Sequence, residues 1–322
     1  MTKLQRILVI VLAVQLALTG FVFWPRGGAQ TSQPLLKDFT ADQVVDLSVS
    51  DANGATVSLE KQGDGWVLVG TGGFAAETSR VDAALQLLVD AKRNRQVANT
   101  ADTHKRLQVA ADSFLRRVDL TFTDGSTQII YLGTSPASRA THVRLDGEDA
   151  VYLVGNLTAN DFGATPASWI DTLYLNLPLE SVQSLVVTNA NGAFELNKDT
   201  GGTWKFSGRQ PGEELQTTRI TALVNSLAQL RMSAPVGTSV RPEYGLENPL
   251  ALAQISANQD GQTQTFTLRV GAQDEASGEY YAWVEDNDYV VKITAATAQS
   301  LISLKRDELV RALPTATAPV TP

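Results

Sequence analysis

A strand-turn-strand module occurs twice in this chain. Val44 to Trp66 reads VVDLSVSDANGATVSLEKQGDGW, and Val182 to Trp204 reads VQSLVVTNANGAFELNKDTGGTW. In each, an apolar-alternating run meets Asn-Gly, a second alternating run follows, and a Gly-containing turn delivers a tryptophan. Alternation with a period of two marks half-buried strands, and Asn-Gly supports the positive φ of a tight hairpin. Asn191 follows Asn53 by the same 138 positions that separate Trp204 from Trp66, so no net insertion divides turn from tryptophan. Two copies in one register imply a duplicated unit, and a repeat is settled before any other assignment.

The correspondence continues beyond the module. Ser79 to Lys92 places Val81, Ala84, Leu85, Leu88 and Ala91 at helical spacing, with Thr78 or Ser79 as N-cap; Arg219 to Leu230 does the same with Ile220, Leu223 and Leu227. In the first copy, strands follow at Arg117 to Thr123, Thr127 to Leu132, His142 to Leu145 and Ala150 to Val154, and a short helix near Leu157 to Phe162. Asp260-Gly261, Val270-Gly271, Tyr281 to Val284 and Val290 to Ile293 hold the matching places in the second. No strand-helix-strand alternation of the parallel type appears. The fold class is therefore α+β: two tandem copies of a mainly antiparallel β unit with one amphipathic helix each, over residues 39–175 and 176–313.

The ends differ in kind. Ile7 to Trp24, ILVIVLAVQLALTGFVFW, carries no charge, and about 18 apolar residues suffice to cross a bilayer core. Lys3 and Arg6 precede it and Trp24 closes it, which places the amino terminus in the cytoplasm and the bulk of the chain outside. Residues 1–25 thus read as a signal-anchor: a cytoplasmic start and a single transmembrane helix in contact with the lipid bilayer. A cleaved signal peptide is the alternative, with Gly27-Gly28-Ala29 as small residues, although the apolar run is longer than a usual signal core. Residues 26–38 form a Gly, Gln, Ser and Pro linker, and the Pro-Thr-Ala tail 314–322 reads as disordered.

Composition excludes several chemistries. The chain has no cysteine, so disulfides, thiolate metal sites and cysteine nucleophiles are absent. Its formal net charge of −8, without a basic cluster, disfavours nucleic acid as a partner. Two histidines occur, His104 in a loop-like segment and His142 in a strand; they lack the spacing and neighbouring acids of a zinc site. Tyr244 and Tyr281 take their places in the second copy, which fits packing better than ligation. Ser58 to Lys61 matches Ser-x-x-Lys only formally, on an alternating strand. Glu285 to Asp288 lacks the glycine and distal glutamate of a calcium loop and reads as a solvated turn, like Asp146 to Asp149. Trp66 and Trp204 could stack on sugars, but at strand spacing after a Gly turn they read as core. No catalytic, cofactor-binding or metal-ligating residue is assigned, and no cofactor is expected.

The order of anchor, strand, Asn-Gly, strand, Gly-x-Trp, apolar helix and Asp-Gly hairpin resembles the bacterial family catalogued as domain of unknown function 4340. Tyr244-Gly245-Leu246-Glu247-Asn248-Pro249 carries the most specific part, followed by Val270-Gly271 and Tyr281-Ala282-Trp283-Val284. The first copy departs from it: His104-Lys105-Arg106-Leu107 keeps only the leucine, and no proline follows. Members of that family typically occur beside components of gliding-motility-type ABC transport systems. The resemblance implies an extracytoplasmic accessory role, with transporter subunits as partners, and supplies no catalytic residue.

The expectation is a single-pass protein of the cytoplasmic membrane whose extracytoplasmic bulk is a non-catalytic binding or scaffold module accessory to an ABC-type transport system. The competing reading is an extracytoplasmic hydrolase or glycan-binding protein acting on cell-envelope material. A hydrolase needs a nucleophile with a base, or a metal with an open position. The repeated residues here are turn glycines, apolar helix positions and a tryptophan.

Overall fold

Two eight-stranded sheets, built one after the other along the chain, have the same strand order. The computed structural model describes Gln15, residues 33–259 and residues 261–313. Apart from Gln15, the apolar run Ile7 to Trp24 lies outside the described residues, as do most of the linker and the 314–322 tail. Among the described residues no helix is long and apolar enough to cross a membrane.

In the first half the strands are β1 (Val44–Asp51), β2 (Thr56–Gln62), β3 (Gly65–Leu68), β4 (Arg95–Ala98), β5 (Arg116–Phe122), β6 (Thr127–Leu132), β7 (Ala140–Leu145) and β8 (Val151–Gly155). They lie in the order β3-β2-β1-β5-β6-β7-β8-β4. Helix α1 (Thr78–Asp90) joins the edge strand β3 to the opposite edge strand β4, and α2 (Ala101–Leu107) follows. In the second half the strands are β9 (Val182–Asn189), β10 (Gly192–Lys198), β11 (Trp204–Phe206), β12 (Ala234–Gly237), β13 (Ala251–Gln259), β14 (Gln262–Gln273), β15 (Tyr280–Val284) and β16 (Val290–Ile293). Their order, β11-β10-β9-β13-β14-β15-β16-β12, is the first order with every label raised by eight. Helix α3 (Thr217–Ala228) occupies the place of α1, and α4 (Ala295–Ile302) follows the last strand. The pairings within both sheets are antiparallel, so the α+β class holds.

Alternation along the strands sorts side chains into two cores. Ile130 and Leu132 enter the main core together with Val81, Leu85 and Leu88 of α1, while Tyr131 between them points to the other face. There it meets Val109 and Val151 in a smaller cluster. The second half repeats this: Ile220, Leu223 and Leu227 of α3 join the main core, and Tyr244, Leu246 and Val290 form a satellite. Each leucine buried in this way contributes roughly 1.5–3 kcal/mol relative to exposure. The main core runs through both halves without interruption, although among the described residues the two sheets share no strand pair.

Several local expectations are corrected. A second helix appears in each half: α2 lies where a loop-like segment was expected, and α4 follows the last strand of the second half, as the short helix near Leu157 to Phe162 was expected to follow that of the first. α2, ADTHKRL, is seven residues long and buries only His104, so it offers no apolar period to read. α4, AATAQSLI, buries Ala298 and Leu301 alone. The N-cap of α1 is Glu77 instead of Thr78 or Ser79, without a side-chain cap bond; its N–H donates to the Trp169 carbonyl at 2.7 Å. Near Leu157 to Phe162 the helix shrinks to the 3-10 turn Ala159–Asp161.

Candidate functional site

Each sheet has one corner where the strap leading into it crosses the segment that follows the long helix. In the first half the Leu35 N–H donates to the Ala91 carbonyl at 2.7 Å, and Pro34 pairs with Lys92. In the second the Tyr174 N–H donates to the Leu230 carbonyl at 2.8 Å, and Leu173 bridges to Arg231. Position by position, Leu35, Arg93 and Glu148 correspond to Tyr174, Met232 and Asn287, each 139 residues further on. The geometry repeats while the chemistry changes.

The first corner is polar and open. Arg93 grips Glu148 with two nitrogens, both at 2.9 Å, and donates from Nε to the Leu35 carbonyl at 3.1 Å, which fixes the strap. Its guanidinium also lies 5.1 Å from the centre of the Tyr152 ring. Burial alone would lower the Arg93 pKa; hydrogen bonds to Glu148 and Tyr152 outweigh it and leave the pKa raised. Beside the pair is a cleft of about 550 Å³, lined among others by Lys37, Phe39, Gln43, Phe122, Asp124 and Gln128. Phe39 and Phe122 meet edge to face at 6.0 Å. Asp124 is held below the usual carboxylate range by the Ser126 hydroxyl and backbone N–H.

The second corner is less polar than the first and lies on the seam between the halves. A cleft of about 510 Å³ there is lined by Asp171, Leu173, Tyr174, Met232, Asn287 and Tyr289 from one side and Phe74, Ala75 and Glu77 from the other. The Phe74 ring meets Tyr289 edge-on, centroids 4.9 Å apart, and the Tyr289 hydroxyl reaches the Gly72 carbonyl at 3.5 Å. The Tyr174 hydroxyl donates to the Tyr289 carbonyl at 2.6 Å and accepts the Val284 N–H at 3.2 Å. Burial pushes the Tyr174 pKa up to about 12. The loop after β3 thus packs against the second corner.

The residues singled out in the sequence are dispersed. Trp66 and Trp204 are 2% and 8% exposed, which leaves no ring face for a sugar. His104 lies in α2, not in a loop, and is buried with Nε2 2.7 Å from the Asp149 carbonyl. His142 remains in a strand with Nδ1 2.9 Å from the Thr134 hydroxyl, and burial lowers its pKa. The Ser58 hydroxyl meets that of Ser48 at 3.0 Å, while Lys61 reaches the Asp42 carbonyl. Glu285 is paired with Arg269, and the Asn287 carbonyl accepts the Trp283 indole N–H at 3.0 Å. Among the described residues no three His, Cys, Asp or Glu are grouped to hold a metal ion.

Tyr244 and Tyr281 stack at 4.3 Å. The position equivalent to Tyr244 is Leu107 and not His104, because the carbonyls of Leu107 and Tyr244 press alike on Gly133 and Gly271. Sequence reasoning missed Arg93, Glu148, Tyr174 and Phe74. The available signal was the exchange of Arg93 for Met232 within an otherwise repeated register.

A family model described as Domain of unknown function (DUF4340) matches residues 66–249, more than half of the chain, from Trp66 to Pro249. No curated protein and no solved structure matches the chain.

Proposed function

The chain belongs to the DUF4340 family, and on that premise we propose that it is a membrane-anchored, extracytoplasmic, non-catalytic binding or scaffold protein accessory to an ABC-type transport system. The anchor is Ile7 to Trp24 and the body is two copies of one unit. The identical order of the two sheets supports the duplication. The observation that carries the reading is the kind of residue the two halves repeat: a buried tryptophan, an apolar helix stripe, and a glycine pressed beneath a carbonyl. A duplicated catalytic unit repeats its polar machinery; here Arg93 and Glu148 of one half are replaced by Met232 and Asn287 in the other. A reporter fused after Pro322 tests the placement: activity outside the cytoplasm supports it, and activity confined to the cytoplasm overturns it.

The second reading, a glycan-binding protein or hydrolase acting on envelope material, is favoured by one observation. The open first corner combines the Phe39 and Phe122 rings with hydrogen-bonding Gln43, Asp124 and Gln128. Calorimetric titration with soluble cell-wall fragments separates the two, since heat that disappears in Phe122→Ala supports the glycan reading.

A further inference from the structure

We propose that Asn53 is a site of spontaneous covalent modification, deamidating to aspartate and isoaspartate in the folded chain, while Asn191 in the equivalent hairpin is protected. The same residues, Ala-Asn-Gly-Ala, stand at both turns, Ala52 to Ala55 and Ala190 to Ala193. Immediate sequence neighbours therefore give the two asparagines alike intrinsic reactivity, and the fold separates them. Both are exposed, so access to water does not.

The Gly54 backbone nitrogen attacks Cγ of Asn53. A C–N bond forms, and the side-chain amide nitrogen leaves as ammonia, taking the proton that the glycine nitrogen gives up. Water then opens the cyclic imide at either carbonyl, giving aspartate, or isoaspartate with the backbone rerouted through the β-carbon. One amide and one water are consumed, and one carboxylic acid and one ammonia are formed, with no oxidant, reductant or enzyme. A following glycine favours the attack because no β-carbon shields its nitrogen.

Two observations set Asn191 apart. Its Nδ2 donates to the Leu304 carbonyl at 3.2 Å, and Asn189 beside it donates to the carbonyls of Leu301 and Leu304 at 2.7 and 3.0 Å, which ties the turn to the C-terminal end of α4. Gly192, moreover, is the first residue of β10 and pairs with Asn189 in the ladder. In the first half the Asn53 side-chain amide has no hydrogen-bond partner among the described residues. Gly54 stands two residues before β2, and its N–H donates to the Asp51 carbonyl at 3.3 Å, beyond the usual 2.7–3.2 Å. A free amide turns its Cγ onto the next nitrogen without loss; one held at Nδ2 must first give up its bond. The product bears on the hairpin itself. Asp51 Oδ1 accepts the N–H groups of Asn53 at 2.8 Å and Ala55 at 3.0 Å, so the new carboxylate arises two residues from the one that shapes the turn. Isoaspartate also adds a backbone atom where the turn sets the register of β1 against β2.

The test is to incubate the full-length chain, purified in detergent, in mildly alkaline heavy-oxygen water, with a parallel sample held unfolded in urea. Opening of the imide writes one heavy oxygen into each new carboxylate, and mass spectrometry of the digest locates it. Product formed before the incubation is read as unlabelled aspartate and isoaspartate and counted with it. The expected result is several-fold more product at residue 53 than at residue 191 in the folded chain, and equal product at the two in urea. Equal product in the folded chain, an excess at residue 191, or no product at residue 53 overturns the proposal. So does unequal product in urea, which places the difference in the sequence and not in the fold.

Discussion

Gly133 lies directly under the carbonyl of Leu107: a β-carbon added there would stand 2.0 Å from that oxygen, and one on Gly271 would stand 2.0 Å from the Tyr244 carbonyl. In both halves the chain segment on the far face presses onto the sheet at this glycine, just after β6 in the first half and within β14 in the second, and only a residue without a side chain admits it. Gly133→Ala and Gly271→Ala must displace backbone, so each is expected to cost about 1–3 kcal/mol or more, as overpacking does. Urea unfolding of the two variants checks this; losses below about 0.5 kcal/mol, the range of ordinary surface substitutions, contradict the close approach.

The residue after that carbonyl is left-handed in both halves but differs in identity. Gln108 has φ 57° and Gly245 has φ 64°. A left-handed turn costs a residue with a β-carbon about 1–2 kcal/mol, so Gln108→Gly is expected to stabilise the protein by up to about 1 kcal/mol after glycine's extra chain entropy is counted. Gly245→Ala is expected to destabilise it by about 1–2 kcal/mol, since its β-carbon also meets the Ala272 nitrogen at 3.0 Å. Opposite signs in thermal unfolding are the outcome to look for.

Trp66 and Trp204 belong to the main core. Replacing either by alanine is expected to cost about 3–5 kcal/mol, as large-to-small changes in cores do. A Trp66→Ala protein of unchanged stability that had lost binding to envelope sugars would show instead that the ring serves a ligand.

Tyr174 makes the seam sensitive to alkali. Burial raises its pKa to about 12, above the value near 10 of an unfolded tyrosine. The unfolded chain therefore gives up its proton first, and stability contributed by this group is complete below pH 10 and lost as pH rises towards 12, by roughly 2–3 kcal/mol. Tyr174→Phe removes that titration along with the hydrogen bonds to Tyr289 and Val284, at a cost of about 1–2 kcal/mol near neutrality. The wild-type advantage over Tyr174→Phe should close between pH 10 and 12, and reverse towards pH 12, in urea unfolding series. A constant gap would show that the hydroxyl is not held protonated.

What was legible in the sequence follows from range. The hairpins about Asn53-Gly54 and Asp124-Gly125, and helices α1 and α3, rest on local periodicity, and their ends fall within two residues of the expected ones. Edge strand β4, RQVA, has one strong strand former in four residues and owes its state to pairing with β8. Gln108 gives no warning of a left-handed turn, because it is not a glycine and the helix it caps, α2, has no apolar period that would mark its end. The corners were invisible because Leu35, Arg93 and Glu148 are separated by more than fifty residues each and meet only after the sheet forms.

The proposed accessory role is tested most directly by chemical crosslinking in the cells that make the chain, followed by affinity recovery of the full-length chain and identification of what comes with it. The account predicts permease or ATPase subunits of an ABC-type transporter in the recovered complex. Recovery of the chain without them, under conditions that capture other membrane complexes, would contradict it.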